Sequence, residues 1–309
     1  MQGFPLLTPG ESFSLVRSSV DAWINDRAPS MGAALAYYTL FSIAPLLLIV
    51  ISIAGLLFGA EAARGEIFGQ LRGMVGTGGA SAIQAMLETV NRPADGVAAT
   101  LTGLLLMLVG ATTVFGELQD ALDRIWRAPE RVGGGLWMLL RTRVLSFGMI
   151  LCIGFLLIVS LLFSAAIATL QSWWTPWLGD WVAPVAVINH LTSFLLVTAM
   201  FAMIYKLMPR VRIEWHDVLV GALATAGLFT LGKWMIGLYI STAGVGSGFG
   251  AAGSLVALLV WVYYSAQIFL LGAEFTWVYA HRYGSMKEAV IPASPIAPSR
   301  DPLAAKQTS

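Results

Sequence analysis

Residues 31–55 read MGAALAYYTLFSIAPLLLIVISIAG, a run of 25 residues without a charged side chain. A helix needs about 20 mostly apolar residues to cross the hydrocarbon core of a bilayer. The run is continuously apolar and does not alternate between apolar and polar positions, which favours a helix over a barrel strand. This stretch therefore predicts that the chain is built from membrane-spanning helices.

The composition of the whole chain agrees with that prediction. Of its 309 residues, 57% are hydrophobic and 11% are charged, whereas soluble domains carry about 25% charged residues. So few charges cannot cover a water-facing surface, which excludes a soluble globular protein and a disordered one. The net charge of +1 argues against binding nucleic acid through phosphate neutralisation. The single cysteine, Cys152, excludes an intrachain disulfide.

Six windows are long and apolar enough to cross a bilayer. They predict an all-α, polytopic membrane protein whose six-helix transmembrane domain occupies residues 31–283. The windows cover about residues 31–58, 97–115, 144–170, 182–208, 218–240 and 251–279.

The positions of lysine and arginine predict the orientation of these spans. Cytoplasmic loops of multi-pass membrane proteins are enriched in both residues. Six spans place 14 of the 18 basic residues on one side, together with both termini. We therefore expect both termini to be cytoplasmic.

Three segments lie outside the predicted spans. Residues 1–30 form a cytoplasmic segment, in which 11–27 predict an interfacial amphipathic helix. Residues 61–96 predict two short helices, separated by glycines, that lie on or dip into the outer leaflet. The tail, 284–309, is rich in proline, serine and alanine and is predicted to be disordered. The apolar face of the amphipathic helix is formed by Phe13, Val16, Val20, Trp23 and Ile24, and the separating glycines are Gly76, Gly78 and Gly79.

Ionisable groups within spans are costly and are therefore candidates for function. Glu274 lies roughly 10 Å from the cytoplasmic end of the sixth span, at a rise of about 1.5 Å per residue. Glu117 and Asp120 lie at the same end of the second span, and Tyr37 and Tyr38 lie in the cytoplasmic third of the first. These side chains are expected to form an inner polar layer. The alternative for the two acids is plain helix-end pairing with Arg124, Arg141 or Arg143.

A second polar layer is expected nearer the outer surface. His190 and Lys233 are each roughly 10–12 Å below that surface, on the fourth and fifth spans. Lys233 and Glu274 lie near opposite faces of the membrane, which argues against a direct salt bridge between them. Lys233 has a structural alternative, in which its long side chain reaches the membrane interface.

Motifs for enzyme chemistry are absent from the sequence. It contains no HExxH, P-loop or GxSxG motif, and its one GxGxxG, at 248–253, follows no predicted strand. We therefore predict no catalytic residue, no metal site and no cofactor, and a protein that is not an enzyme.

Three stretches carry a resemblance to a known family. They are residues 31–55, FGELQDALDRIW at 115–126, and GFGAAGSLVALLVWVYYSAQIFLLGAEFTWVYA at 248–280. Together with the order of the spans, they resemble the YihY/BrkB-type family of bacterial inner-membrane proteins. Asp123 departs from the pattern, since asparagine is common at that position in the family. The resemblance implies a multi-pass protein of the bacterial cytoplasmic (inner) membrane that is linked to the cell envelope and to moving lipids. It also brings an old ribonuclease label, which this chain does not favour because it lacks clustered metal ligands.

Three functional hypotheses follow, and the third, an enzyme that is either a nuclease or a lipid-modifying hydrolase, is the least favoured because catalytic motifs are absent. The first is a transporter or exporter of a lipid or another amphiphilic envelope molecule, because polar groups at membrane depth and a broken helix are typical of a substrate path. Pro45 is the expected break in the first span, and Glu274 is the candidate for coupling to a proton gradient. The second hypothesis is a non-transporting scaffold for envelope biogenesis. Membrane lipids are the expected partners, a homo-oligomer is left open, and nucleic acid is not expected. The candidates for the substrate path are Lys233, Glu274, His190, Glu117, Asp120, Tyr37, Tyr38, Pro45 and Gln267.

Overall fold

A computed structural model of the chain describes residues 8–90, 109, 113–129, 148, 182–242 and 253–287. Within these ranges the protein is helical and has no strand, which confirms the predicted all-α membrane class. The helices are α1 (Pro9–Asn25), α2 (Ala28–Phe58), α3 (Ala60–Val90), α4 (113–125), α5 (Val182–Leu207), α6 (Trp215–Thr242) and α7 (Gly253–Arg282).

Three described helices have stretches that are long and apolar enough to cross a membrane. These stretches are Ala28–Leu56 in α2, Trp215–Ile236 in α6 and Leu255–Arg282 in α7, and α5 has a shorter apolar stretch, Leu191–Leu207. They coincide with four of the six predicted windows. The windows 97–115 and 144–170 fall mostly outside the described residues, as does the tail, so the count of six spans and the disorder of the tail stay predictions.

Among the described helices, α7 has the most packing partners, which are α1, α2, α3 and α6. Small residues let it approach α6 closely. A Cβ atom on Gly221 would lie 1.8 Å from the Thr276 hydroxyl, and one on Gly272 would lie 2.0 Å from that of Thr225. The Tyr205 hydroxyl of α5 donates a hydrogen bond to the Phe269 carbonyl at 2.7 Å and lies 3.1 Å from the Thr225 hydroxyl. Helices α5 and α6 are thereby fastened to α7.

Helix α1 lies against the end of α7 and leaves an apolar face uncovered. A capping box between Thr8 and Glu11 begins the helix. Leu15 is buried against Val278 and Tyr279 of α7. Of the predicted apolar face, Trp23 packs partly against the core, while the other four side chains are exposed, as an interfacial helix requires. These four are Phe13, Val16, Val20 and Ile24.

The segment after the first span is helical, and it is continuous where two short helices were predicted. A single helix, α3, runs through Gly76, Gly78 and Gly79. Residues from both of its halves line one cavity of about 260 Å³, although a straight helix would separate 65 from 84 by about 28 Å. The helix therefore bends sharply, and glycines tolerate such a bend. The cavity is lined by Arg64, Gly65, Phe68, Gln84, Leu87 and Glu88.

The second half of α3 packs against the long apolar helices. Ile83 and Leu87 are buried in a cluster with Leu47 and Ile51 of α2 and Leu258 of α7. Leu47 and Ile51 belong to the apolar stretch of α2. The position of α3 on or in the outer leaflet stays a prediction.

Pro45 does not break α2, contrary to the prediction. The helix continues from Ala28 to Phe58 with Pro45 inside it and buried. Proline removes one backbone hydrogen bond, and packing against neighbouring helices compensates for that loss in membrane helices. The neighbours here are α3 and α7.

Candidate functional site

The candidate site begins with two polar side chains on one face of α7. Gln267 and Glu274 are seven residues apart, which is close to two helical turns and a rise of about 10.5 Å. Gly32 of α2 faces Gln267, because a Cβ atom there would lie 1.9 Å from the Gln267 amide nitrogen. Since α2 and α7 run antiparallel, the end of α1 just before α2 comes to the level of Glu274.

Glu274 is the most unusual side chain of the site. It is 0% exposed, and neither carboxyl oxygen has a hydrogen-bond partner among the described residues. The charged groups that act on it are Asp26, at the end of α1, and Arg127, just after α4. A buried carboxylate lowers stability unless an opposite charge compensates for its lost hydration.

Asp26 and Arg127 connect Glu274 to the protein surface. An Arg127 guanidinium nitrogen lies 3.7 Å from the Asp26 carboxylate. The Asp26 side chain is 17% exposed and that of Arg127 is 63% exposed. The guanidinium also lies 5.0 Å from the ring centre of Trp277, one turn after Glu274 on α7, a distance typical of a cation–π contact. The three charged residues therefore run from solvent to the interior.

The backbone turns at Arg27 and Arg127 fix the positions of the Asp26 and Arg127 side chains. Arg27 and Arg127 both have left-handed backbones, with φ values of 56° and 50°. Arg27 separates α1 from α2, so Asp26 lies at a sharp corner of the chain. Arg127 follows the last turn of α4, where its amide donates to the Arg124 carbonyl. Left-handed backbone is uncommon for residues other than glycine and often marks functional sites.

The predicted inner polar layer is only partly brought together. Glu274 is central to the observed cluster, but Asp120 lies 3.7 Å from Arg210, in the turn after α5. Of the partners expected for the two acids, Arg124 acts on Glu117, whereas Arg141 and Arg143 lie outside the described residues.

Asp123 has a clear structural role at the same turn. Its carboxylate accepts the Arg210 amide at 2.9 Å and pairs with the Arg210 guanidinium at 3.1 Å. The Gln119 amide adds a bond to the Met208 carbonyl at 3.3 Å. These bonds fasten α4 to the turn between α5 and α6. An asparagine at 123 would keep the amide contact and lose the ion pair.

The remaining candidates lie away from the cluster. Tyr37 is 57% exposed on α2 and makes an edge contact with Tyr38, with ring centres 5.5 Å apart. Lys233 is exposed on α6, which agrees with a side chain that reaches the interface. The side chain of His190 lies outside the described residues, so the outer polar layer stays a prediction.

Sequence reasoning missed Asp26 and Arg127. Both lie outside the apolar windows, where an ionisable side chain is not costly. A usable signal was present in Asp26-Arg27, a charged pair directly before the first span. Within the described part of the chain, no group of three or more His, Cys, Asp or Glu residues could hold a metal ion.

Comparison with known proteins identifies the family. Residues 19–296 match the family described as "Virulence factor BrkB". A UPF0761 membrane protein of Tolumonas auensis is 30% identical over 257 residues, covering 82% of this chain and 80% of the relative. The UPF0761 membrane protein YihY of Salmonella typhimurium is 32% identical over 195 residues, covering 62% of each chain.

A third relative, from Pseudomonas paraeruginosa, is 27% identical over 269 residues, covering 85% of this chain and 62% of the relative. This chain thus spans about three fifths of the length of several curated relatives. No solved structure matches it significantly. The family match covers most of the chain and agrees with its apolar helices, and the protein is therefore an integral membrane protein of the YihY/BrkB family.

Proposed function

We propose that this protein is a transporter or exporter of a lipid or another amphiphilic envelope molecule. It lies in the bacterial inner membrane with both termini in the cytoplasm, and it is not an enzyme. The distribution of basic residues supports the orientation. The resemblance to a family of bacterial inner-membrane proteins supports the location. The single observation that supports transport is Glu274, a fully buried carboxyl group without a hydrogen-bond partner among the described residues.

The argument from Glu274 is energetic. Burial of an unpaired carboxyl group lowers stability, and a well-packed apolar side chain in its place is often neutral or stabilising. Ionisable groups at such positions in membrane proteins generally serve transport of ions, protons or substrates. Glu274 also lies on α7, which packs against α1, α2, α3 and α6.

An amphiphile suits the surroundings of this group. The seam between α2 and α7 contains Gln267, with Glu274 two turns farther along α7. Helices α2 and α6 expose large apolar side chains such as Phe41 and Trp234. A lipid could therefore place its polar head at the seam and keep its tails in the bilayer. This arrangement needs no wide aqueous channel, which a small helical protein has little volume to enclose.

Native mass spectrometry of the purified full-length protein tests the proposal. We expect the wild type to retain a specific lipid, and Glu274→Gln to lose it. Glu214→Gln is the matched control, because Glu214 is exposed just before α6. A fluorescent analogue of the retained lipid should then cross proteoliposomes of phosphatidylethanolamine and phosphatidylglycerol at least about tenfold faster with the wild type than with Glu274→Gln.

Two results would overturn transport. One is the same set of annular lipids on all three proteins, with a second protein that copurifies with each, which would support the scaffold instead. The other is equal movement of the lipid analogue with wild-type and Glu274→Gln protein.

A further inference from the structure

We propose that the cavity in the bend of α3 binds the headgroup of a phospholipid that carries both a phosphate and a primary ammonium group, the chemistry of phosphatidylethanolamine. This inference rests on the proposed function only for its consequence, which is that the lipid bound here is the one transported. The site itself follows from the residues that line the cavity.

Two faces of α3 meet at the cavity. The first half of the helix contributes Arg64 and Phe68, and the second half contributes Gln84 and Glu88. Each of these pairs is four residues apart and therefore lies on one helical face. Arg64 and Glu88 are both 12 residues from Gly76, whereas Phe68 and Gln84 are both 8 residues from it. The two charged residues are thus the lining residues farthest along the chain from the glycines of the bend.

The cavity holds two opposite charges that do not pair with each other. Arg64 and Glu88 both line it and are both exposed, so they form its mouth. The structure describes both side chains, and no ion pair joins them. The Gln84 amide donates a hydrogen bond to Glu88 Oε1 at 3.2 Å and orients the carboxylate. A ligand with one negative and one positive group would compensate both charges at once.

The size and the floor of the cavity suit a lipid headgroup. Its volume of about 260 Å³ is below the range of about 300–1,000 Å³ that is typical of pockets for drug-sized ligands. Leu87 is buried in the apolar cluster with Leu47 of α2 and Leu258 of α7, and Phe68 packs against that cluster. A phospholipid can therefore place its headgroup in the cavity and its apolar part along the helices whose seam contains Gln267.

The two charges also select among headgroups. The Arg64 guanidinium suits a phosphate, to which it can donate two parallel hydrogen bonds. A primary ammonium group can donate hydrogen bonds to the Glu88 carboxylate. Phosphatidylglycerol has no cation for Glu88, and the quaternary ammonium of phosphatidylcholine has no N–H to donate and is typically bound by several aromatic rings. Of the six lining residues, only Phe68 is aromatic.

Native mass spectrometry of the full-length protein, delipidated in detergent and titrated with lipids of identical acyl chains, tests the site. We expect phosphatidylethanolamine to bind at least about tenfold more tightly than phosphatidylglycerol or phosphatidylcholine, the effect of one charge-assisted hydrogen bond. Arg64→Gln should weaken its binding by a similar factor, and Glu88→Gln should remove its advantage over phosphatidylglycerol. Arg72→Gln and Glu61→Gln are matched controls, because both residues are exposed on α3 and do not line the cavity. Far-ultraviolet circular dichroism checks the fold of each variant.

Free phosphoethanolamine separates a lipid site from a site for a soluble ligand. We expect an equal concentration of it to leave phosphatidylethanolamine bound, because it lacks the apolar part that contacts Phe68 and Leu87. Displacement of the lipid would assign the cavity to a soluble ligand and overturn the lipid site.

Two further results would overturn the site. One is equal affinity of the wild type for the three lipids, and the other is unchanged binding of phosphatidylethanolamine in both Arg64→Gln and Glu88→Gln. The titration requires no lipid movement, so the two proposals fail separately. Selective binding without flux in proteoliposomes keeps the site and removes transport, whereas flux with unselective binding keeps transport and removes the site.

Discussion

Asp217 and Glu274 are both buried acids near an end of a long apolar helix, but their surroundings differ. Asp217 is 1% exposed and Glu274 is 0% exposed. One Asp217 oxygen accepts the amide and hydroxyl of Ser285 at 3.0 and 2.6 Å, and the other lies 3.4 Å from a ring nitrogen of His216. Glu274 accepts no hydrogen bond within the described parts of the chain.

The helix dipole adds to this difference. Asp217 lies in the first turn of α6, where the dipole favours a negative charge. Glu274 lies in the last third of α7, toward the end where the dipole favours a positive one. Burial alone therefore does not separate a structural acid from a functional one. The two kinds of acid differ in the number of hydrogen bonds that the carboxyl group accepts and in the direction of the helix dipole around it.

The strongest test of this comparison is Asp217→Ala. Loss of the Asp217 carboxylate would leave the Ser285 amide and hydroxyl without their acceptor at a partly buried position. The turn that follows α7 would then be less firmly held to α6. We expect the free energy of unfolding to fall by about 3 kcal/mol. Denaturant unfolding in mixed micelles, monitored by circular dichroism, measures the change.

Two further variants complete that test. Asp21→Ala is the control, since Asp21 is exposed on α1, and it should change stability by less than about 0.5 kcal/mol. Glu274→Gln should cost no stability, because it removes an unpaired buried acid. If Glu274→Gln were as destabilising as Asp217→Ala, both acids would be structural and the contrast would be lost.

A smaller effect is expected at Gly32, where α2 meets the polar face of α7. In Gly32→Ala, the new Cβ would lie 1.9 Å from the Gln267 amide nitrogen, so the Gln267 side chain must move. We expect a loss of about 2 kcal/mol in the free energy of unfolding, measured as for Asp217.

The double variant Gly32→Ala/Gln267→Ala tests whether contact with Gln267 causes the loss of stability in Gly32→Ala. It should recover much of the lost stability, because the shortened side chain at 267 removes the clash. Gly10→Ala is the control, since a Cβ atom there meets nothing within 4 Å. If the double variant recovered none of the lost stability, the contact with Gln267 would not be the cause of the loss.

The spans could be predicted because their signal is local. The windows 31–58, 218–240 and 251–279 agree with Ala28–Phe58, Trp215–Thr242 and Gly253–Arg282 to within about three residues. An apolar run of this length has few alternatives to a helix in a bilayer. Local rules failed where packing decides, since Pro45 was expected to break a helix that neighbouring helices hold together.

The site could be predicted only in part, for a related reason. Glu274 stands out as a charge within an apolar run. Asp26 and Arg127 are about 100 residues apart, and their approach to Glu274 depends on the register between antiparallel helices and on two left-handed corners. None of these features has a periodic signature in the sequence. Similarly, the partner of Asp120 proved to be Arg210, which lies far along the chain.

The smallest expected effect concerns Glu117, a partly buried acid that lies just after the predicted span 97–115. Burial raises the pKa of the Glu117 carboxyl above its ordinary value and the charge of Asp120 raises it further, while Arg124 lowers it. The folded protein therefore keeps this proton at pH values where the unfolded chain has lost it, so stability falls as the pH rises through that range.

Glu117→Gln should then be more stable than the wild type at neutral pH, by less than about 0.5 kcal/mol because solvent screens a half-exposed group. The difference should vanish at a pH below the ordinary value, where both states carry the proton. Thermal unfolding of the two proteins across this range measures it, and a constant difference at every pH would assign the effect to packing instead of charge.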